Sequence, residues 1–266
     1  MDIDTVTELV PAPGATWRDG DAWLAGGTWL FSQPQPGLSR LLDLRAFSWP
    51  SLAESADGLQ IAATCTLAEL YRWRPAARWP AAVLVGQCCN ALLGTFKVWN
   101  MATVGGNICL SLPAGPMTSL TASLDGACTA LSPDGSARDV PVMDFVTGAG
   151  RNVLRPGELL RSVRVPGASM RCRTAFRQVS LSPLGRSAAV VIARRSPDDG
   201  RVVVTVTAAT SRPVQLRFET LPSPDAAVTA LAAAVTSYHD DVHGAPQWRA
   251  AMTRRYVAEV VAELTT

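Results

Sequence analysis

Short apolar runs separated by turn residues fill the first two thirds of the chain. The run LQIAAT from Leu59 is typical of a strand, and TLAELYRW after it predicts a helix because Thr66 and Glu69 have capping-box spacing. Apolar residues at helical spacing follow in WPAAVLVGQCCNALLGT from Trp79. A strand is then predicted over residues 127–131, ahead of a turn at Pro133.

The pattern changes at Arg171, from where runs typical of strands come first and helical segments come last. Four apolar runs bounded by Gly, Pro or Asp predict strands: RTAFRQVS, SAAVVIARR, DDGRVVVTVTAA and RPVQLRF. SPDAAVTALAAAVTSY and PQWRAAMTRRYVAEVVAEL predict two helices. Runs of strands followed by runs of helices indicate an α+β fold rather than alternating βαβ units. Lobe boundaries near Gly58 and Gly167 divide the chain into residues 1–57, 58–167 and 168–266.

Composition narrows the class of protein. With 266 residues, of which 48% are hydrophobic, the chain can bury a large core without disulfides or metals. A net charge of +2 is too small to indicate nucleic acid or a membrane surface as a partner. No apolar run reaches the ~18 residues of a spanning helix, and the acidic start MDIDTVTELV is unlike a signal peptide. We therefore expect a cytoplasmic protein.

Few residues with metal-binding or catalytic chemistry are present. The six cysteines include no C-x-x-C pair, so we expect buried free thiols and neither a metal centre nor an iron–sulfur cluster on this chain. His239 and His243 have the i, i+4 spacing of two zinc ligands, but Gly244 and Pro246 end any helix there. These are the only two histidines, and no G-x-S-x-G motif is present, so we expect no catalytic residue.

Two glycine pairs carry the strongest indication of a ligand. AGGT at residues 25–28 and TVGGN at residues 103–107 each flank two glycines with a hydroxyl or an amide. Glycine lets the backbone approach a ligand closely, and successive N–H groups in such a loop bind phosphate oxygens. Neither segment has P-loop or Rossmann spacing. The residues alone leave open a diphosphate site and a pair of ordinary tight turns.

Motifs in a fixed order connect the chain to a known family. LAGGTWLF, IAATCTLAEL, TVGGNI, VPVMDFVTGAG, LRPGELLRSVRVP and TAFRQVSLSPLGRSAAVV resemble the FAD-binding subunit of molybdenum hydroxylases of the xanthine dehydrogenase and carbon monoxide dehydrogenase type. The resemblance extends from about Asp21 to the C-terminal helical segment. It implies an α+β fold in which a two-lobed FAD-binding domain of the PCMH type precedes a C-terminal α+β lobe.

The resemblance also implies a function, that of an electron-transfer subunit carrying FAD. In that family a large molybdenum-pterin subunit oxidises the substrate, and a small subunit with [2Fe-2S] clusters passes the electrons to the flavin. An external acceptor, which is NAD, a quinone or oxygen, then takes them. Two alternatives stay open: a flavin-free structural or interaction subunit of such a complex, and a stand-alone flavin oxidoreductase.

The same resemblance implies a set of FAD-binding residues. Two groups would meet the pyrophosphate from opposite sides: Ala25, Gly26, Gly27, Thr28 and Leu30 in one, and Thr103, Gly106 and Asn107 in the other. Leu159 and Leu160 would pack near the adenine, and Arg177 stands where the family often has a lysine beside the flavin. Neighbouring positions complete the predicted site: Leu24, Trp29, Val98, Ala102, Ile108 and Pro116.

Three departures from the family pattern bear on flavin binding. The segment PAPGATWRDGDAW, before the first glycine pair, is too short for the stable helix that the family has there. FKVWN at residues 96–100 replaces an Ile-Arg-Asn step. Pro116 stands where the family commonly has an aspartate that contacts the sugar-like chain of the flavin, and its side chain cannot accept that hydrogen bond. We expect the segment LSLPAGP to contact FAD through backbone groups instead.

Overall fold

Three β-sheets, each built from one stretch of the chain, carry the fold in the computed structural model, which describes residues 5–265. The first sheet contains β1 (Glu8–Pro11), β2 (Asp21–Leu24) and β3 (Arg40–Asp43), which are parallel, with β3 in the middle. Residues 12–20, between β1 and β2, form turns without a helix, as their length predicts. Arg40 donates to the buried carboxylate of Asp21 at 2.6 Å, which fixes β2 beside β3.

The middle of the chain forms a five-stranded antiparallel sheet with helices packed on it. Its elements, in chain order, are β4 (Leu52–Ser55), β5 (Gly58–Ala62), α1 (Leu67–Arg72), α2 (Val83–Ala91), α3 (Phe96–Met101), α4 (Val104–Leu110), α5 (Pro116–Ser123), β6 (Ala127–Leu131), β7 (Ala137–Pro141), α6 (Val142–Phe145), β8 (Val146–Gly148), β9 (Arg151–Asn152), β10 (Leu159–Pro166) and α7 (Gly167–Met170). The strand order is β4-β5-β10-β6-β7, and β8 pairs with β9 in a separate hairpin. The predicted capping box of α1 is confirmed, because Thr66 Oγ1 accepts from Glu69 N and the Glu69 carboxylate accepts from Thr66 N.

The division into lobes follows the sheets except near its first limit. β4 pairs with β5 across residues 57 and 58, where the sequence places that limit. The pairing favours a limit near residue 50, between the 3₁₀ helix Leu44–Phe47 and β4. We keep the three-part division as a proposal with its first limit moved to that point. The second limit, at residue 167, lies where β10 ends and α7 begins.

The last stretch forms an antiparallel sheet covered on both faces. Its elements are β11 (Arg173–Val179), β12 (Ala189–Arg195), β13 (Val202–Thr207), β14 (Val214–Phe218), α8 (Pro224–Ala234) and α9 (Pro246–Glu263), and the strands pair in chain order. Val191 and Ala193 of β12 lie in the core formed with α8 and α9, whereas Val190 and Ile192 join the core of the second lobe. Because both faces are buried, these strands are nearly continuous apolar runs, as in VVVTVT.

The cysteines and histidines lie largely where the sequence predicts. All six cysteines are free thiols, and five are buried, whereas Cys109 is partly exposed. His239 and His243 lie in the loop between α8 and α9, and His239 Nε2 is 3.3 Å from the carboxylate of Asp241. Over residues 5–265, the helices are too short or too polar for any of them to cross a membrane.

Candidate functional site

A cleft of about 610 Å³ separates the turn after β2 from the helices of the second lobe, and the third lobe forms one of its edges. We call it the glycine cleft, and its lining residues are 23–30, 91–94, 98, 102, 103, 106, 107, 109, 110, 112, 114–116, 184, 186 and 187. The volume lies within the roughly 300–1,000 Å³ typical of ligand and cofactor sites. The three lobes therefore meet around one cavity of cofactor size.

The first glycine pair brings two segments into contact and leaves backbone donors free. A Cβ on Gly26 would lie 1.7 Å from the carbonyl oxygen of Met101, so only glycine allows the first lobe to approach the end of α3 this closely. Gly27 has a left-handed φ of 69°, and a Cβ there would meet the ring of Phe31. Within the described chain, the N–H groups of residues 26–29 have no protein acceptor. Such a run of free donors on a cleft wall suits phosphate oxygens.

The second glycine pair opens a helix rather than forming the loop that the sequence predicts. Thr103 is the N-cap of α4, and its Oγ1 accepts from Gly106 N at 3.0 Å. The other N–H groups of residues 104–107 donate to carbonyl oxygens of the protein, so their partners are already in place. A Cβ on Gly105 would lie 2.4 Å from the Cβ of Ala63, whereas Gly106 lines the cleft. Gly105 therefore serves packing, and Gly106 keeps the cavity open.

Asn107 and Pro116 meet at the start of α5. Asn107 Oδ1 accepts from Met117 N at 2.9 Å, which leaves the Nδ2 group of Asn107 as a donor for a ligand. Pro116 is the first residue of α5, where the missing N–H costs no helical hydrogen bond, and it is buried. Helix geometry thus accounts for a proline at this position. Contacts from the LSLPAGP backbone to FAD stay a prediction.

The charge of the glycine cleft comes from the third lobe. Arg186, in the loop between β11 and β12, is the single charged residue among those that line the cleft in the described chain. Its guanidinium carbon lies 5.6 Å from the ring centroid of Trp29, within range of a cation–π interaction. The lining thiol of Cys109 is neutral at physiological pH, because the protein atoms around the sulfur of this partly exposed residue exclude water from it and raise its pKa to about 12. The cleft is therefore suited to an anionic ligand with apolar parts.

Four residues of the predicted site lie outside the lining of the cleft. Ile108 and Leu160 are buried in the core of the second lobe, and Leu159 packs in the core of the first. Arg177 is directed to α9, where its guanidinium pairs with Glu259 at 2.9 Å. The three apolar side chains are packed in the cores and do not reach the cavity. The ion pair with Glu259 on α9 keeps the Arg177 side chain away from it as well.

The PGELL segment contributes to the cleft through Glu158. Two hydrogen bonds from Arg138 and one from Arg155 N hold its buried carboxylate and lower its pKa to about 2. The backbone carbonyl of Glu158 accepts from Trp23 Nε1 at 3.0 Å. Because Trp23 lines the cleft, this turn fixes part of its wall.

Several lining residues have no marked signal in the sequence. Ala91 is the last residue of α2, and residues 92–94 follow it, about ten residues before the second glycine pair. This closeness in the sequence could have indicated them. Arg186 is far along the chain from both glycine pairs. It reaches the cleft because the third sheet packs against the core of the second lobe, and no local pattern predicts such a contact.

Residues 4–168 match the family model described as the FAD binding domain in molybdopterin dehydrogenase. A xanthine dehydrogenase from Oryza sativa subsp. japonica is 27% identical over 122 residues, which make up 44% of this chain and 9% of that protein. The carbon monoxide dehydrogenase medium chain from Afipia carboxidovorans is 34% identical over 77 residues, which make up 29% of this chain and 26% of that protein. The chain thus matches a small part of the length of each relative.

Solved structures share the fold over nearly the whole chain. Carbon monoxide dehydrogenase from Oligotropha carboxidovorans has a TM-score of 0.82 at 22% identity, and the match covers 97% of this chain and 96% of the chain in that structure. Quinoline 2-oxidoreductase from Pseudomonas putida 86 has a TM-score of 0.78 at 20% identity, and the match covers 99% of this chain and 98% of the chain in that structure. At this identity the similarity concerns the fold, and it confirms the predicted α+β architecture with its C-terminal lobe.

Proposed function

We infer the function from the family to which this chain belongs, the FAD-binding domains of molybdopterin dehydrogenases, and the cofactor is accordingly FAD. We propose that FAD binds in the glycine cleft. The observation that carries this assignment is the row of four N–H groups at residues 26–29 without protein acceptors, in the same cavity as Asn107 Nδ2 and Arg186. Backbone donors and a guanidinium are the groups that bind diphosphate oxygens.

The two glycine segments have different roles in this proposal. The first supplies backbone donors to the diphosphate, because its N–H groups are free. The second supplies space at Gly106 and the side chains of Thr103 and Asn107, because its N–H groups are already bonded within the protein. Apolar lining residues such as Trp29, Leu93 and Val98 suit the ring systems of FAD.

Bound FAD supplies the redox chemistry, since flavins take part in both hydride transfer and one-electron steps. The residues of this chain bind and orient the cofactor and shield it from water. Over the described residues, the lining of the cleft includes no Asp, Glu, His or Lys, and the thiol of Cys109 keeps its proton at physiological pH. We therefore propose that the chain acts by placing the cofactor.

We further propose that the chain is the electron-transfer subunit of an oxidoreductase complex. A large subunit with a molybdenum-pterin centre and a small subunit with [2Fe-2S] clusters would be its partners, and an external acceptor would receive the electrons from FAD. The support is that a carbon monoxide dehydrogenase medium chain and a xanthine dehydrogenase are among its relatives.

Purification of the chain alone and together with the products of its neighbouring genes tests both proposals. The expected result is flavin absorbance in the chain alone, with iron–sulfur absorbance added only in the co-purified complex. Absence of flavin from both preparations would favour a structural subunit. A flavin-loaded chain that reduces an acceptor with a soluble donor, and that recruits no partner, would favour a stand-alone oxidoreductase.

A further inference from the structure

We propose that Arg249, buried in the C-terminal lobe, is a positioning residue for the glycine cleft, because its guanidinium fixes two segments of the cleft wall at once. The segments are residues 112–116, before and at the start of α5, and residues 184–187, between β11 and β12. The inference rests on the proposed location of FAD in this cleft. Arg249 itself does not line the cavity, so it acts through the backbone that it holds.

The guanidinium of Arg249 is buried and makes four hydrogen bonds within the third lobe. Its exposed fraction is 1%, and it donates to the carbonyl oxygens of Gly244 and Ala188, each at 2.8 Å, and to that of Ala208. The carboxylate of Asp241 accepts a fourth hydrogen bond, from Nη2, and balances the charge of the guanidinium. A buried charge with this many partners is costly to disturb, because any group left unpaired loses its solvation without compensation.

The first link runs from Arg249 to the loop that carries the charge of the cleft. Ala188 directly follows Arg186 and Ser187, both of which line the cavity. The N–H of Ala188 donates to Val179 O at 2.8 Å, and its carbonyl accepts from Arg249. Both backbone groups at the base of this loop are therefore fixed, and they set the direction in which Arg186 leaves the sheet.

The second link runs from Arg249 to the segment before α5. Ala208 is buried with a left-handed φ of 63°, a conformation that costs energy in a residue other than glycine and persists only where its surroundings enforce it. Its carbonyl accepts from Arg249, and its N–H donates to Pro113 O at 2.8 Å. Ala208 therefore transmits the position of the guanidinium to residues 112–116.

A second buried arginine provides a matched control. Arg194 is 8% exposed, and it donates to Ser123 O and to the carboxylate of Asp125, so it joins the second and third lobes directly, whereas Arg249 reaches the second lobe through Ala208. None of these residues lines the glycine cleft. Substitution of either arginine by lysine keeps the charge but cannot satisfy all the acceptors of a planar guanidinium. Both substitutions should lower stability, but only one should disturb the cavity.

The experiment compares Arg249→Lys with Arg194→Lys in the full chain by three measurements. These are the unfolding temperature, the FAD dissociation constant, and amide hydrogen exchange at residues 112–115 and 184–187 in the FAD-free protein. Both variants should unfold at a lower temperature. Only Arg249→Lys should raise exchange in the two segments. It should also weaken FAD binding by about tenfold or more, which is the effect of losing one hydrogen bond between the cleft wall and the charged diphosphate. Equal effects of the two variants on FAD affinity would overturn the proposal.

Two further results keep the test decisive. If Arg249→Lys does not fold, Asp241→Asn retains an acceptor oxygen but removes the balancing charge, and it should change exchange and FAD affinity in the same direction. Unchanged exchange in a folded Asp241→Asn protein would then contradict the proposal. If FAD fails to protect residues 184–187 in the wild type, the assigned cofactor location is wrong, whereas raised exchange in FAD-free Arg249→Lys would still show that Arg249 positions the segment.

Discussion

Replacement of Glu158 by glutamine should remove a large, pH-dependent part of the stability of the chain. The Glu158 carboxylate is buried, with 3% of the residue exposed, and it holds Arg138 by hydrogen bonds of 3.0 and 2.7 Å. The guanidinium of Arg138 and the backbone N–H of Arg155 lower the pKa of Glu158 from 4.5 to about 2. Glutamine keeps the shape of the side chain but not the charge, and its amide group cannot accept both hydrogen bonds from the arginine.

The magnitude follows from the difference between the folded and unfolded pKa values. Because the folded pKa is the lower one, the ionised carboxylate stabilises the fold fully above pH 4.5 and loses that contribution as the pH falls toward about 2. At 1.36 kcal/mol for each pKa unit, the contribution is about 3 kcal/mol at neutral pH. Glu158→Gln should therefore lower the free energy of unfolding by about that amount at neutral pH. The deficit should shrink as the wild type is acidified below pH 4.5.

Urea unfolding of FAD-free protein across this pH range measures the effect directly. Glu219→Gln is the matched control, because Glu219 pairs with Arg201 at 2.9 Å but its side chain is 84% exposed. Such a surface pair contributes about 0–1 kcal/mol, so the control should stay close to the wild type at every pH. Equal pH dependence in wild type and Glu158→Gln would refute the assignment of the low pKa to this buried pair.

The remaining predictions concern the cleft directly. Asn107→Asp keeps the acceptor for Met117 N but replaces the amide donor by a charge, so FAD titration should show weaker binding with the fold retained; unchanged affinity would exclude Asn107 from the site. Asn107→Ala also removes the acceptor of Met117 N near the start of α5 and should cost on the order of 1–3 kcal/mol of FAD binding. Pro116→Asp places an unpaired carboxylate at a buried helix start and should weaken binding, whereas tighter binding would show that a flavin contact has been lost here. Arg186→Gln should weaken FAD binding and reduce its dependence on salt, which titrations at two ionic strengths would detect; an unaltered salt dependence would contradict the charge pairing.

Local patterns predicted several elements of this chain, because the forces that form those elements are local. The spacing of Thr66 and Glu69 specifies a capping box, and the four apolar runs after Arg171 specify strands whose two faces are both buried. Gly26, Gly27 and Gly106 line the glycine cleft, but the separate roles of the two glycine pairs depend on groups outside each pair. Gly26 faces the carbonyl of Met101, and the donors at the start of α4 find acceptors elsewhere in the protein.

Residues that reach the cleft through tertiary packing were not predicted, because their positions also depend on groups distant in the sequence. Arg186 has no sequence pattern that distinguishes it from the other arginines, and its position depends on how the third sheet packs against the second lobe. Arg177 stands at the position that the family resemblance assigned to the flavin, yet carboxylates on α9 pair with it. A motif gives the position of a residue in the chain, whereas the direction of its side chain depends on the charges around it.

The most direct test of the account is a titration with FAD of two valine variants. Gly106 lines the glycine cleft, and a Cβ there would lie 3.0 Å from Thr103 Oγ1 and 4.0 Å from the Cβ of Ala25, so valine would narrow the proposed place of the cofactor between the two glycine segments. Gly37 is exposed and lies outside the cleft, and a Cβ there would meet only open space within 4 Å, so Gly37→Val is the control. The account predicts that both variants fold, that Gly37→Val binds FAD like the wild type and that Gly106→Val does not retain it. Stoichiometric FAD in folded Gly106→Val would contradict the assignment of the glycine cleft as the FAD site.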